Sequence, residues 1–365
     1  MISYQELNIK PIINACTTMT YLGGSLMPDE VTSAMVEASH SFVNIRELHQ
    51  KVGDRIAQLT KNEAAYVTTG CAAAIVLSLL GIKTRGDQKK IELLSQDPQT
   101  DEVLVQNTHT IPYFPAISLA KCEAVYVGSE SSVTREEFIS KISENTIATL
   151  FVAGSHLNQG GLDLKSVIEI CKPRGIKVIV DAAAQLPPVE NLWKFTKEMG
   201  ADVALFSGGK ALLGPQSSGL MVGVKDIIEW SKAVGAPNQT LARSMKVGKE
   251  EMVGLAAAIE RYVNLDHEAQ WNLWSNRVDY WVKELQENEN LVVERSELNE
   301  AGQPVPRCLV KVKNTHGKNP EGVLLENSPS IAVLAVDETS FWISPDLLTE
   351  SEVKTVAEAI KSNFA

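Results

Sequence analysis

Three short segments place groups capable of chemistry beside turns that would expose them. In Leu205-Phe-Ser-Gly-Gly-Lys-Ala-Leu-Leu-Gly-Pro-Gln-Ser-Ser-Gly219 an apolar run ends and two glycines allow a tight turn. Lys210 follows just beyond the C-terminal end of the expected strand, where open α/β sheets bind ligands. An amine there suits a Schiff base with a carbonyl ligand. The alternative is a solvated loop lysine. A nucleotide P-loop is disfavoured, because Ala211 stands where that motif needs Ser or Thr.

The second segment, Val178-Ile-Val-Asp-Ala-Ala-Ala-Gln185, ends an apolar strand with an acid. If its strand neighbours that of Lys210, Asp181 faces the same crevice, where a carboxylate would hold a pyridinium nitrogen protonated. A helix cap is the competing role. The third, Tyr66-Val-Thr-Thr-Gly-Cys-Ala-Ala-Ala74, runs from a strand into a helix start of small residues. Free backbone N–H groups and the positive end of the helix dipole make such a turn a phosphate site, with Gly70 allowing close approach.

The elements that must carry these groups alternate. Apolar runs at 64–69, 102–106, 123–127, 148–153, 177–181, 202–206 and 219–222 read as strands. Most are continuous rather than alternating, the pattern of strands buried on both faces of a mainly parallel sheet. Helical spacing appears at 71–80 and 164–171, the latter capped by Asp163. After residue 249 the pattern becomes two long helices (250–264 and 268–287), strands near 291–294, 307–312 and 331–336, and a last helix over 350–362 with Thr349 as its cap. The expected organisation is an N-terminal segment (1–45) packing on the rest, a ligand-binding α/β domain (46–248) and a smaller α+β domain (249–365). Trp271, Trp274, Val278 and Trp281 share one helical face, as a core or subunit contact would.

Composition narrows the function. The 365 residues are 44% hydrophobic and 22% charged, ordinary globular values, and no run approaches the length of a membrane span. A formal net charge of −11 without a Lys/Arg cluster disfavours nucleic acid. Five scattered cysteines (Cys16, Cys71, Cys122, Cys171, Cys308) suggest neither a disulfide framework nor a metal site. With no targeting pattern at the N-terminus, the expectation is a soluble cytoplasmic protein without nucleic-acid or membrane partners.

The three segments together resemble fold-type I pyridoxal-phosphate enzymes, and within them the selenocysteine synthase and D-glucosaminate-6-phosphate ammonia-lyase group. The resemblance extends over nearly the whole chain, through Lys10-Pro-Ile-Ile-Asn-Ala15, Leu59 to Ala74, Val180-Asp-Ala-Ala-Ala-Gln-Leu-Pro-Pro188, Phe206-Ser-Gly-Gly-Lys210 with Gly214-Pro-Gln216, and Arg243-Ser-Met-Lys-Val-Gly-Lys-Glu250. It implies pyridoxal 5'-phosphate as cofactor, held by Lys210 as a Schiff base, with Asp181 on the ring nitrogen. Gly70, Cys71 and Ala72 would bind the phosphate through backbone N–H groups and Ser207 through its hydroxyl. His109, after the second strand, would stack on the ring. Gln185 and His156 would contact the phenolic oxygen or the substrate, and Arg243 would anchor a substrate anion.

The resemblance also implies a homodimer or higher homo-oligomer acting on a small amino acid. Selenocysteine synthase carries an N-terminal extension that engages transfer RNA, for which there is no room before Lys10, so the ammonia-lyase branch is expected. That reaction eliminates the β-hydroxyl of an amino acid, such as a phosphorylated amino-sugar acid, to give a 2-oxo acid and ammonia. A racemase or aminotransferase begins with the same proton removal and competes with this reading, as do a selenocysteine-synthase-like transferase and a catalytically silent assembly or binding protein.

Overall fold

A computed structural model describes every residue except Met1, Thr110, Ser155, His156, Asn158 and Ala365. The chain forms two compact units, one of residues 27–264 and one joining residues 1–26 to residues 265–365.

The first unit is built on a seven-stranded sheet: β1 (Ala64–Thr68), β2 (Asp101–Gln106), β3 (Cys122–Val127), β4 (Thr146–Val152), β5 (Lys177–Asp181), β6 (Val203–Ser207) and β7 (Gly219–Gly223). Their order is β1-β7-β6-β5-β4-β2-β3, parallel except for β7, which runs antiparallel between β1 and β6. The continuous apolar runs follow from burial on both faces. Val178 and Val180 enter one core cluster and Ile179 the other; Ala204 and Phe206 likewise oppose Val203 and Leu205. The helix Cys71–Thr84 is itself nearly all buried, which explains a segment apolar around its whole circumference. Asp163 caps the helix Leu164–Cys171 through the Ser166 N–H, as its position in the sequence predicts.

Two boundaries differ from the sequence expectation. The helix Lys249–Val263, assigned there to the C-terminal domain, packs on the helices Asp29–Ser39 and Ile45–Leu59 of the first unit. Its buried Met252, Leu255, Ile259 and Tyr262 complete that unit's core. The N-terminal segment divides: Asp29–Ser39 belongs to the first unit, whereas Ile12–Asn14 pairs in parallel with Ser330–Ala332 in the second.

The second unit holds a four-stranded antiparallel sheet ordered Leu334–Ala335, Ser340–Ile343, Arg307–Val312, Leu291–Ser296. The helices His267–Leu285 and Glu350–Asn363 contribute to its core through Val278, Trp281, Leu285, Val353, Val356 and Ile360. Trp281 is fully buried and donates its indole N–H to the Val353 carbonyl at 2.9 Å, while Trp271 and Trp274 on the same helix are half-buried. Thr349 forms a full capping box with Glu352. Among the described residues no helix is long and apolar enough to cross a membrane.

Candidate active site

Parallel strands deliver their C-terminal ends to one edge of the sheet, and three of the predicted segments meet there. The register aligns Val152 of β4 with Asp181 of β5 and Asp181 with Leu205 of β6. Gly219, the first residue of β7, lies between Ser207 and Thr68. Thus Thr68, Ser207 and Asp181 all occupy one end of the sheet, with Gly70 and Lys210 just beyond it.

The turn after β1 admits only glycine at position 70. Gly70 has φ +83° and ψ 162°, a region closed to side chains, and its carbonyl accepts the Thr68 hydroxyl at 3.0 Å. Gly219 lies against it so closely that a Cβ there would fall 2.4 Å from the Gly70 carbonyl carbon. Among the described residues no side chain caps the helix that follows, so its first-turn N–H groups lack a capping acceptor. Gly70, Cys71 and Ala72 stand at this helix start, where the sequence leads one to expect an anion cradle.

The Lys210 loop is held by its own backbone. The Gly208 N–H donates to the Ser218 carbonyl at 2.9 Å, the Gly214 N–H to the Gly208 carbonyl at 2.8 Å, and the Leu213 N–H to the Lys210 carbonyl at 2.8 Å. A Cβ at Gly208 would meet Ser218 Oγ at 2.0 Å, and one at Gly209 would meet Gln216 Cα at 2.5 Å, so both glycines are required by close packing. The lysine is presented half-buried on a rigid loop.

Asp181 is 6% exposed. Burial pushes its carboxyl above the ordinary range, opposed by the Ala183 N–H, by the charge of Lys210 and by the Cys71 thiol. Its Oδ1 accepts the Ala183 N–H at 3.0 Å and the Cys71 thiol at 3.6 Å. The thiol contact was not legible in the sequence; the only signal was a cysteine at the first helical position.

His109 is fully buried, its ring edge-on to Phe151 at 4.7 Å between centroids. Its Nδ1 accepts the Val152 N–H at 3.3 Å, which fixes the proton of the neutral ring on Nε2. Gln185 lies half-buried in the turn after β5, its carbonyl accepting from Asn191 Nδ2 at 2.7 Å. Arg243 follows the bridge Gly235–Ala242, half-buried, with its N–H on the Thr240 carbonyl. No interaction among the described residues ties Arg243 to Asp181 or Lys210. His156 lies outside the described residues.

The residues present fit pyridoxal 5'-phosphate. An uncapped helix start behind a glycine-only turn suits the phosphate, a lysine on a rigid loop suits the carbonyl carbon, and a buried carboxylate needs a cation such as a protonated ring nitrogen.

The chain is also similar to proteins of known function. The chain is 31% identical over 370 residues to D-glucosaminate-6-phosphate ammonia lyase of Salmonella typhimurium, covering 98% of this chain and 96% of the relative. It is 32% identical to 5'-C-glycyluridine monooxygenase-decarboxylase of a Streptomyces species over 73% of this chain and 66% of that protein. The L-seryl-tRNA(Sec) selenium transferase of Clostridium perfringens is 28% identical over 72% of this chain, which spans 59% of the transferase. Among solved structures, D-glucosaminate-6-phosphate ammonia-lyase superposes with a TM-score of 0.86 at 30% identity, covering 99% of this chain and 97% of that one. The cysteine desulfurase CsdA of Escherichia coli shares the fold at a TM-score of 0.57 and 16% identity. The SelA family model, described as L-seryl-tRNA selenium transferase, matches residues 12–341, and the chain belongs to that family.

Proposed function

We propose that this chain is a pyridoxal-phosphate-dependent ammonia-lyase that removes the β-hydroxyl of an amino acid to give a 2-oxo acid and ammonia. The observation that carries this reading is the placement of Asp181 at the end of one parallel strand and of Lys210 just beyond its neighbour, beside the glycine-only turn at Gly70. Near-full-length likeness to a D-glucosaminate-6-phosphate ammonia-lyase supports the reaction class and suggests a phosphorylated amino-sugar acid as substrate.

When bound, pyridoxal 5'-phosphate supplies the electron sink for charge developing on the substrate's α-carbon. The residues supply the rest. The first-turn N–H groups of Gly70, Cys71 and Ala72 hold the phosphate, and Ser207 adds its hydroxyl. Asp181 accepts the ring-nitrogen proton's hydrogen bond and keeps that proton in place by its charge. Lys210 Nζ would hold the cofactor's carbonyl carbon covalently and would serve as the base for the substrate's α-proton. The β-hydroxyl then departs as water, and a water returns as the amino group is released as ammonia, so the net change is substrate to 2-oxo acid plus ammonia. The test is incubation of the cofactor-loaded protein with D-glucosaminate 6-phosphate; absence of both products would reject that substrate.

The protein acts in the cytosol as a homodimer in this reading. Five unpaired cysteines support a reducing compartment. Exposed apolar side chains at Leu26 (82%) and Phe42 (103%) support a covering subunit. Sedimentation at micromolar concentration should find the dimer, and a fully active monomer would contradict it.

A further inference from the structure

The two oxygens of Asp181 are not equivalent. Oδ1 takes both donors, the Ala183 N–H at 3.0 Å and the Cys71 thiol at 3.6 Å, and no described residue donates to Oδ2. A carboxylate can only accept, so the thiol must be protonated and donating. The donors come from different elements. Ala183 follows β5, the strand that carries Asp181, whereas Cys71 opens the helix whose first turn forms the phosphate cradle. Cys71 thus joins that cradle, through its backbone, to the buried acid, through its side chain.

We propose that Cys71 is a positioning residue for Asp181: its thiol pins Oδ1 so that Oδ2 is presented to the ring nitrogen of the cofactor. The inference rests on the cofactor reading of this site. A thiol is a weak donor and draws less charge from the carboxylate than a hydroxyl would. Asp181 therefore stays basic and holds the ring proton firmly. Serine at this position would satisfy the same oxygen but make Asp181 less basic. Burial and the Asp181 charge both hold the Cys71 thiol well above the ordinary range, which keeps it protonated and able to donate.

A double-mutant cycle tests this by its non-additivity. The dissociation constant of pyridoxal 5'-phosphate would be measured by titrating apo-protein of the wild type, Cys71→Ala, Asp181→Asn, the double variant and Cys71→Ser. Cys71→Ala should weaken binding roughly three- to tenfold, the scale of one modest hydrogen bond. The same change on the Asp181→Asn background should add nothing. Cys71→Ser should restore binding while moving the pH midpoint of the cofactor's visible band downward. Additive losses, or a serine variant no better than alanine, would overturn the proposal.

A second measurement needs no cofactor. Alkylation of Cys71 in apo-protein, mapped by mass spectrometry against the four buried cysteines, should accelerate several-fold in Asp181→Asn, because removing the anion eases thiolate formation. An unchanged rate would show that the two side chains do not meet in solution, and would sink the proposal. Failure of the wild type to bind pyridoxal phosphate would instead reject the proposed function, while the alkylation result still decides the contact. Thermal unfolding of Cys71→Ser guards against an alanine variant that simply misfolds.

Discussion

Lys210 lies beyond the strand adjacent to that of Asp181, and its positive charge draws the buried Asp181 carboxyl back toward its ionised form. Burial disfavours the charged form of that acid, and cations around it favour that form. A lysine used as covalent anchor gives up part of that role, and a protonated ring nitrogen would take it over. Electrostatics thus couple Lys210 and Asp181, and under the proposed function would couple both to the bound cofactor.

Lys210→Ala should abolish covalent cofactor attachment while leaving the fold intact, since the loop is held by backbone hydrogen bonds and glycine packing rather than by the lysine side chain. Turnover should fall by about 10²- to 10⁴-fold or more, the usual worth of a positioned base. Borohydride reduction followed by peptide mass spectrometry should find the pyridoxyl adduct on Lys210 in the wild type; an adduct on another lysine would refute the assignment.

Asp181→Asn should keep the covalent attachment but lose about 10²-fold or more in rate, because a neutral amide cannot hold the ring nitrogen protonated. Its apo-protein should be at least as stable as the wild type, since an amide carries no charge to desolvate. Activity near the wild-type value would reduce Asp181 to a structural residue.

The sheet and the places of the candidate site residues on it were legible because buried parallel strands write themselves as short apolar runs ending in turn residues. All seven runs lie within two residues of the observed strands; Asp181 ends one of them, and the Gly70 turn and Lys210 each follow one. Two kinds of feature were not legible. The strand Ile12–Asn14 has only three residues and pairs with Ser330–Ala332, more than three hundred positions away, so no local pattern announces it. The bond between Cys71 and Asp181 spans 110 residues and exists only once the helix Cys71–Thr84 packs on the strand Lys177–Asp181. The helix Lys249–Val263 carried the right periodicity, but periodicity does not say which core its apolar face will enter. His109 shows the same limit: its position after β2 was readable, whereas its burial against Phe151 was not.

The C-terminal unit should carry a pH-dependent share of stability at Asp346. Burial, helped by Glu300 and opposed by Arg277, raises its carboxyl from 3.8 to about 6. The folded chain therefore binds this proton more tightly than the unfolded chain does. That contribution is fully present below 3.8 and is lost as pH rises through about 6. Asp346→Asn should then stabilise the protein at pH 8 by about 1–3 kcal/mol and leave it unchanged near pH 4. Urea denaturation at the two pH values reads the difference, and an equal shift at both would exclude the assignment.

The reaction class is separable from its neighbours by the fate of one proton and one nitrogen. A lyase, a racemase and an aminotransferase all begin by removing the α-proton, the role proposed for Lys210 Nζ, so loss of α-deuterium would show only that the base is competent. The next step depends on the leaving group. A β-hydroxylated, anionic amino acid should release ammonia and a 2-oxo acid with no added acceptor, and its analogue lacking the hydroxyl should exchange deuterium without forming either product. A panel of D- and L-amino acids and amino-sugar acids, with D-glucosaminate 6-phosphate among them, would be scored for all three readouts. Ammonia and 2-oxo acid appearing together in equal amounts mark the lyase. Deuterium loss without a 2-oxo product, even when the β-hydroxyl is present, would establish a racemase. A 2-oxo product that forms only when a second keto acid is supplied would establish an aminotransferase, because the nitrogen then leaves on the acceptor rather than as ammonia.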